Sequence, residues 1–181
     1  MKGTGTGLGR PRVGAVPAKK AAELLQLVAF SVGSGEYALD IMRIKEIINP
    51  VKITPVPKAP PFIEGVIELR GTILPVVDLR KRFDLVPTPT ARSTKFLVVA
   101  IDVSGRRMIV ALIVDGVSEP LRVPLEQVRA APALAQGEAA YFSGVVHHGS
   151  RIFMILDLDA ILSSREKITL AGLDGPPGGA A

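Results

Sequence analysis

Few side chains in this chain have a type and spacing suited to covalent chemistry. There is no cysteine among the 181 residues, which removes thiol nucleophiles, thiolate metal sites and disulfides. The two histidines, His147 and His148, are adjacent. Consecutive strand residues point to opposite faces, so these two make poor joint metal ligands. Ser143, His148 and Asp157 supply the residue types of a nucleophilic triad. Nothing around Ser143 resembles a nucleophile elbow or an oxyanion arrangement. The stretch GTGTGLG at residues 3–9 lacks the strand, the helix and the Gly-Lys-Ser/Thr ending of a phosphate loop. The expectation is therefore no catalytic residue, no metal and no cofactor. The side chain best suited to recognition is Arg70, on a polar turn: its planar fork of five donors suits carboxylates or the C-terminal carbonyls of a partner helix. An internal ion pair, as with Glu68 two residues away, or a solvated turn is the alternative.

Arg70 sits in the densest apolar pattern of the chain, Gly65 to Arg80, reading GVIELRGTILPVVDLR. Two short β-rich runs flank Arg70-Gly71-Thr72, which predicts a hairpin. Gly71 is a turn glycine, and Gly65 permits positive φ or a close backbone approach. Asp78 is placed to cap a helical turn beginning at Leu79. Pro75 cannot donate to a ladder, so its strand is predicted to be an edge or to be bulged there.

The pattern recurs. Gly65 to Leu79 aligns without a gap on Gly144 to Leu158 at an offset of 79, and Asp78 falls on Asp157. Upstream, Ser34-Gly35 matches Ser104-Gly105 at an offset of 70, which places Leu39 on Ile109, Ile44 on Val114 and Ile47 on Val117. The difference implies nine extra residues in the second copy, placed around Ala130 to Gly137. Two copies of one β unit predict twin small barrels or sheets.

Along the body, Leu27–Val32 and Tyr37–Met42 read as a hairpin with one face packed and the other partly wet. Ile44 to Ile47 fits a helical turn or a strand, and the repeat favours strand; Ile44 itself fits a groove or the core equally well. Five prolines between Asn49 and Pro61 exclude a long helix. Phe96–Val103 and Met108–Val114 read as strands buried on both faces. Glu119 to Gln136 reads as a connector, and Asp157 to Lys167 as a short amphipathic helix with Leu158, Ile161 and Leu162 on one face.

Composition bounds the class. Hydrophobic residues make up 48% and aromatics 4%, so the core is aliphatic. No run of 18 apolar residues marks a transmembrane helix, and no apolar stretch follows the N-terminal basic residues as in a secretory signal. The net charge of +5 is carried by Lys2, Arg10, Arg12, Lys19 and Lys20, leaving 17 basic against 17 acidic residues elsewhere. The predicted organisation is a disordered basic arm over residues 1–23, a body over 24–165 and a flexible tail over 166–181. The body comprises two pseudo-repeated subdomains, about 24–86 and 94–165, with exchange of a strand between them allowed.

Taken together, several stretches resemble the CheW family of bacterial chemosensory coupling proteins. They are Tyr37-Ala38-Leu39-Asp40-Ile41, Ile44-Lys45-Glu46-Ile47, Ile53-Thr54-Pro55-Val56-Pro57, Phe62-Ile63-Glu64-Gly65-Val66, Leu69-Arg70-Gly71, Pro75 to Arg80, and Val114 to Glu119. The resemblance spans about Leu25 to Leu162. It implies an all-β fold of two SH3-like five-stranded barrel subdomains, here with a short C-terminal helix. It also implies a non-catalytic, cytoplasmic adaptor associated with receptor arrays. Its partners would be the cytoplasmic tip of a methyl-accepting chemoreceptor and the regulatory domain of a CheA-type histidine kinase, without nucleic acid or membrane insertion. Carried over by position, the receptor-facing groove involves Ile44, Glu46, Gly65 and Arg70. Glu68 stands where the family usually has Asn. The competing reading is a small-barrel nucleic-acid binder with a basic arm; it is opposed by a neutral body with six Phe, two Tyr and no Trp.

Overall fold

The structure, a computed structural model, describes residues 21–132, 141–163, 166 and 172. Most of the predicted arm and tail, and residues 133–140, which overlap the expected insertion, lie outside the described residues. The described chain forms ten strands and one short helix. In order they are β1 (Leu24–Val32), β2 (Gly35–Asp40), β3 (Ile44–Ile48), β4 (Ile63–Leu69), β5 (Thr72–Asp78), α1 (Leu79–Arg82), β6 (Lys95–Val103), β7 (Arg106–Val114), β8 (Gly116–Pro124), β9 (Phe142–His148) and β10 (Arg151–Leu156).

Two five-stranded sheets result, ordered β8-β1-β2-β10-β9 and β3-β6-β7-β5-β4. Each is an SH3-like barrel whose edge strands do not pair with one another. The second sheet uses one unbroken stretch, β3 to β7, and the first is built from what flanks it. They are therefore called here the central and the terminal barrel. The ranges 24–86 and 94–165 do not map onto these barrels. What passes between the two halves of the repeat is a whole hairpin, because β1–β2 joins β10 through a parallel ladder and β6–β7 joins β5 in the same way. The chain crosses between barrels twice, through a single 3-10 turn at Ile41–Arg43 and again at Asp115.

Each barrel has its own interior. Leu27, Ala38, Val146 and Phe153 fill the terminal one, and Ile67, Val76, Phe96 and Ala111 the central one. The largest cluster lies between them, joining Phe30, Val32 and Leu39 to Leu97, Val99, Val110 and Leu112. This third layer explains a difference from the sequence reading. β1 is buried on both faces, because Leu27 and Ala29 point into the terminal barrel while Phe30 and Val32 point into the junction. Leu158, Ile161 and Leu162 seal the same junction.

The repeat holds in three dimensions, with a correction of one residue. Val32 pairs with Gly35 and Val103 with Arg106, so the upstream hairpins superpose at an offset of 71 rather than 70. Leu39 then corresponds to Val110, both in the junction, whereas Ile109 packs on the central interior. Matching the Ser-Gly dipeptides slips the register by one, and a one-residue slip swaps faces. The length difference is thus eight residues. Thr54 bridges Val66 and Arg129 bridges Val145, an offset of 75, so four of the eight precede Arg129 and four follow it.

Three local expectations also change. β5 is an interior strand, with Pro75 opposite Val66. The Val66 N–H and C=O are both spent on Thr54, and the ladder to β7 starts only at Val76, so the donor that proline lacks is not needed. The irregularity is on β4, where Glu64 is the extra residue between Ile63 and Gly65. Glu119 to Pro124 belongs to strand β8, paired with β1, rather than to a connector. Residues 158–162 form turns and bends, with the Asp157 carboxylate accepting from the N–H groups of Asp159 and Ala160 at 2.9 and 3.3 Å. Glu166 is helical, and the rest of that predicted helix lies outside the described residues.

Candidate partner-binding site

The Leu69–Thr72 pair closes the β4–β5 hairpin with a two-residue turn in which Arg70 has φ +49° and Gly71 φ +79°. Both central residues at positive φ define a type I′ turn, whose twist matches that of the strands. Glycine adopts this freely, whereas an arginine there is strained. The guanidinium reaches β3: Nη1 and Nη2 donate to the two carboxylate oxygens of Glu46 at 2.6 and 3.0 Å. Glu46 is thus the partner of Arg70. Glu68 is exposed and has no ion-pair partner among the described residues.

The place of this pair in the fold matters. β3 and β4 are the two edges of the central barrel. The Glu46–Arg70 pair spans the seam between them without a strand ladder. Beneath it opens a shallow pocket of about 270 Å³, lined by Lys45, Leu69, Thr72, Leu74, Val98 and Ile109 besides the pair itself. The Arg70 side chain is 76% exposed and that of Glu46 25%. An ion pair that open contributes at most about 1 kcal/mol to folding. Its donors remain within reach of a partner.

The other two expected residues are placed differently. Ile44 lies opposite Val99 and packs against the junction cluster, because a bulge at Lys45 turns it away from the pocket while Glu46, opposite Val98, stays at the mouth. Gly65 is covered by the connector that follows β3. Thr54 and Val66 exchange two backbone hydrogen bonds of 2.9 Å over it. A Cβ built on Gly65, at φ +142°, would stand 2.1 Å from the Thr54 carbonyl oxygen. Glu46 and Arg70 are therefore brought together, whereas Ile44 and Gly65 do not line the pocket. The pocket's apolar floor was missed in the sequence, where Leu74, Val98 and Ile109 read as ordinary strand residues. Met42, Ile47 and Val51 are exposed apolar side chains along and beside β3, but Ile47 follows Glu46 directly on the strand and so faces the other side of the sheet from the salt-bridged mouth.

The candidate chemistry elsewhere is not assembled. The Ser143 hydroxyl lies 3.5 Å from the Ile155 carbonyl, and Asp157 is occupied by backbone N–H groups. His147 and His148 are exposed neighbours on β9. Phe30, Tyr37, Phe83, Tyr141 and Phe142 pack on one another, with ring centroids 5.1–6.4 Å apart, rather than lining a basic groove. No helix among the described residues is long and apolar enough to cross a membrane.

Comparison with known proteins bears on the family and the fold. The family model of the CheW-like domain matches residues 26–166. The chain is 34% identical over 161 residues to the chemotaxis protein CheW of Treponema pallidum, covering 87% of this chain and 94% of that one. It is 35% identical over 142 residues to the CheW of Klebsiella aerogenes, covering 78% and 83%. Its structure is similar to the crystal structure of the scaffolding protein TtCheW from Thermoanaerobacter tengcongensis, with a TM-score of 0.71 at 30% identity, covering 80% of this chain and 97% of that one.

Proposed function

The chain belongs to the CheW family of chemotaxis coupling proteins, and from that membership we propose that it is a non-catalytic scaffold joining chemoreceptors to a CheA-type histidine kinase. It would act in the cytoplasm, at receptor arrays. The receptor would contribute its cytoplasmic tip and the kinase its regulatory domain. The observation that carries the reading to particular residues is the exposed Arg70–Glu46 pair at the open seam of the central barrel. An amphipathic receptor helix would place its apolar face over the pocket beneath the pair, where Leu69 and Ile109 are half-buried, a helix-in-groove contact. Arg70 would meet a carboxylate or terminal carbonyls on that helix, and Glu46 would hold the guanidinium in position until then.

The test is a binding assay with a receptor cytoplasmic fragment and a kinase regulatory domain. Arg70→Ala is expected to weaken receptor binding about tenfold or more, the loss of a charged hydrogen bond. Kinase binding and the circular dichroism spectrum should not change. Unaltered receptor affinity would remove Arg70 from the site. Folded wild-type protein binding neither partner would overturn the scaffold reading.

A further inference from the structure

The two points where the chain crosses between barrels carry the same device with its charges reversed. At the second crossover, Asp115 accepts from Arg80 Nη1 at 3.4 Å and from the Gly33 N–H at 2.6 Å, while its own N–H donates to the Ser31 carbonyl at 2.9 Å. Arg80 follows the capping Asp78 of the β4–β5 hairpin by two residues. At the first crossover, Arg43 donates from Nη1 and Nη2 to Asp159 at 3.1 and 2.8 Å. Asp159 follows Asp157, the counterpart of Asp78, by the same two residues. Under the hairpin offset of 79, Arg80 falls on Asp159. Under the upstream offset of 71, Arg43 falls one residue short of Asp115.

Each pair ties one barrel's post-hairpin turn to the other barrel. Asp159 follows β10 of the terminal barrel and also accepts from the N–H of Asp102 on β6 of the central barrel at 2.9 Å. Arg43 Nε donates to the Ala100 carbonyl of β6 at 2.9 Å. The two ties differ in exposure, with side chains 7% and 21% exposed for Arg80–Asp115 but 32% and 40% for Arg43–Asp159. The more open one immediately precedes Ile44 and Glu46.

We infer that these charge-reversed ties set the orientation of the two barrels, and that Arg43 and Asp159 position β3 for the receptor helix. The second half of this rests on the proposed receptor site. Arg43 and Asp159 are positioning residues and need not touch the partner. Because the tie is half open to solvent, the first crossover yields before the second does.

The chain's lack of cysteine makes a spin-label test direct. Arg106→Cys in the central barrel and Glu119→Cys in the terminal barrel, both at exposed positions, report the inter-barrel distance in the full-length protein. Arg43→Ala, Asp159→Ala and the double variant are measured on this background. The expected result is a broadened distance distribution in each single variant, with the broadening in the double variant less than the sum of the two. Receptor-fragment affinity should fall about fivefold in the same non-additive way, with kinase-domain binding retained. An unchanged distribution, or additive effects of the two substitutions, overturns the tie. A broadened distribution with unchanged receptor affinity overturns the positioning role. If wild-type protein binds no receptor fragment, the receptor reading fails, and the distance measurement still decides the tie.

Discussion

Arg80→Ala is expected to lower the free energy of unfolding by about 3–5 kcal/mol, the usual result of orphaning one member of a buried ion pair. The Asp78 and Arg80 side chains are 2% and 7% exposed. Arg80 donates from Nε and Nη2 to the two Asp78 oxygens at 2.9 and 2.8 Å, and from Nη1 to the Thr88 carbonyl at 2.8 Å. Its own N–H, at the start of α1, donates to Asp78 at 2.9 Å. The hydrogen bonds that Arg80 donates to the Asp78 carboxylate push the Arg80 pKa above its already high ordinary value, so the guanidinium stays charged across any accessible pH. Truncating it leaves a buried carboxylate facing no cation and costs Asp115 one of its donors. Adding Asp78→Asn to Arg80→Met should recover part of the loss, since the uncompensated charge is gone and the Asn oxygen can still cap α1. Urea unfolding measures both. A loss below about 1 kcal/mol for Arg80→Ala would place the pair with ordinary surface bridges.

The exposed Glu36–Arg151 pair is the internal comparison. Its hydrogen bond to Arg151 holds the Glu36 carboxyl below the usual glutamate range. What it contributes is therefore present above the ordinary glutamate value and fades as pH falls through the depressed one. Because the Arg151 and Glu36 side chains are 51% and 32% exposed, Arg151→Ala should move the neutral-pH urea midpoint little.

Gly65→Ala is the second substitution with a large expected effect, a loss of at least about 3 kcal/mol. The new methyl would collide with the Thr54 carbonyl, and the backbone angle is one that L side chains rarely adopt. The two hydrogen bonds holding the connector over β4 would have to open. Gly144, its counterpart, has the same neighbour in relation, the Arg129 carbonyl at 2.9 Å, but no positive φ. Gly144→Ala should cost distinctly less. Gly71→Ala meets nothing within 4 Å at φ +79° and should cost about 1–2 kcal/mol from conformation alone. The ordering Gly65, then Gly144 or Gly71, is read from thermal or urea midpoints. Loss of partner binding in Gly65→Ala would accompany loss of structure. A Gly65→Ala protein with wild-type stability and no receptor binding would instead make Gly65 a contact residue.

Much of this molecule follows from local pattern. The β4–β5 hairpin, its recurrence as β9–β10, the Asp at each hairpin's end and the two doubly buried strands β6 and β7 can all be read from apolar alternation and turn residues, which act over a few neighbours. The extreme exposure of Arg70 likewise follows from its turn. The resemblance named the family because its motifs lie in those same local elements.

Tertiary structure alone decided what depends on which strand lies beside which. The repeat showed two copies but not that the chain nests the central barrel inside the terminal one, because strand pairing between distant segments leaves no local mark. For the same reason Arg70 meets Glu46, 24 residues away, instead of the neighbouring Glu68. Gly65 proved to lie beneath a connector whose arrival a lone glycine does not announce. The charge reversal between Arg80 and Asp159 lies one residue beyond the aligned stretch that ends at Leu79 and Leu158. It became a shared device only when the fold brought Asp115 to one and Arg43 to the other, since an ion pair is a property of distance and solvent exclusion and not of sequence position.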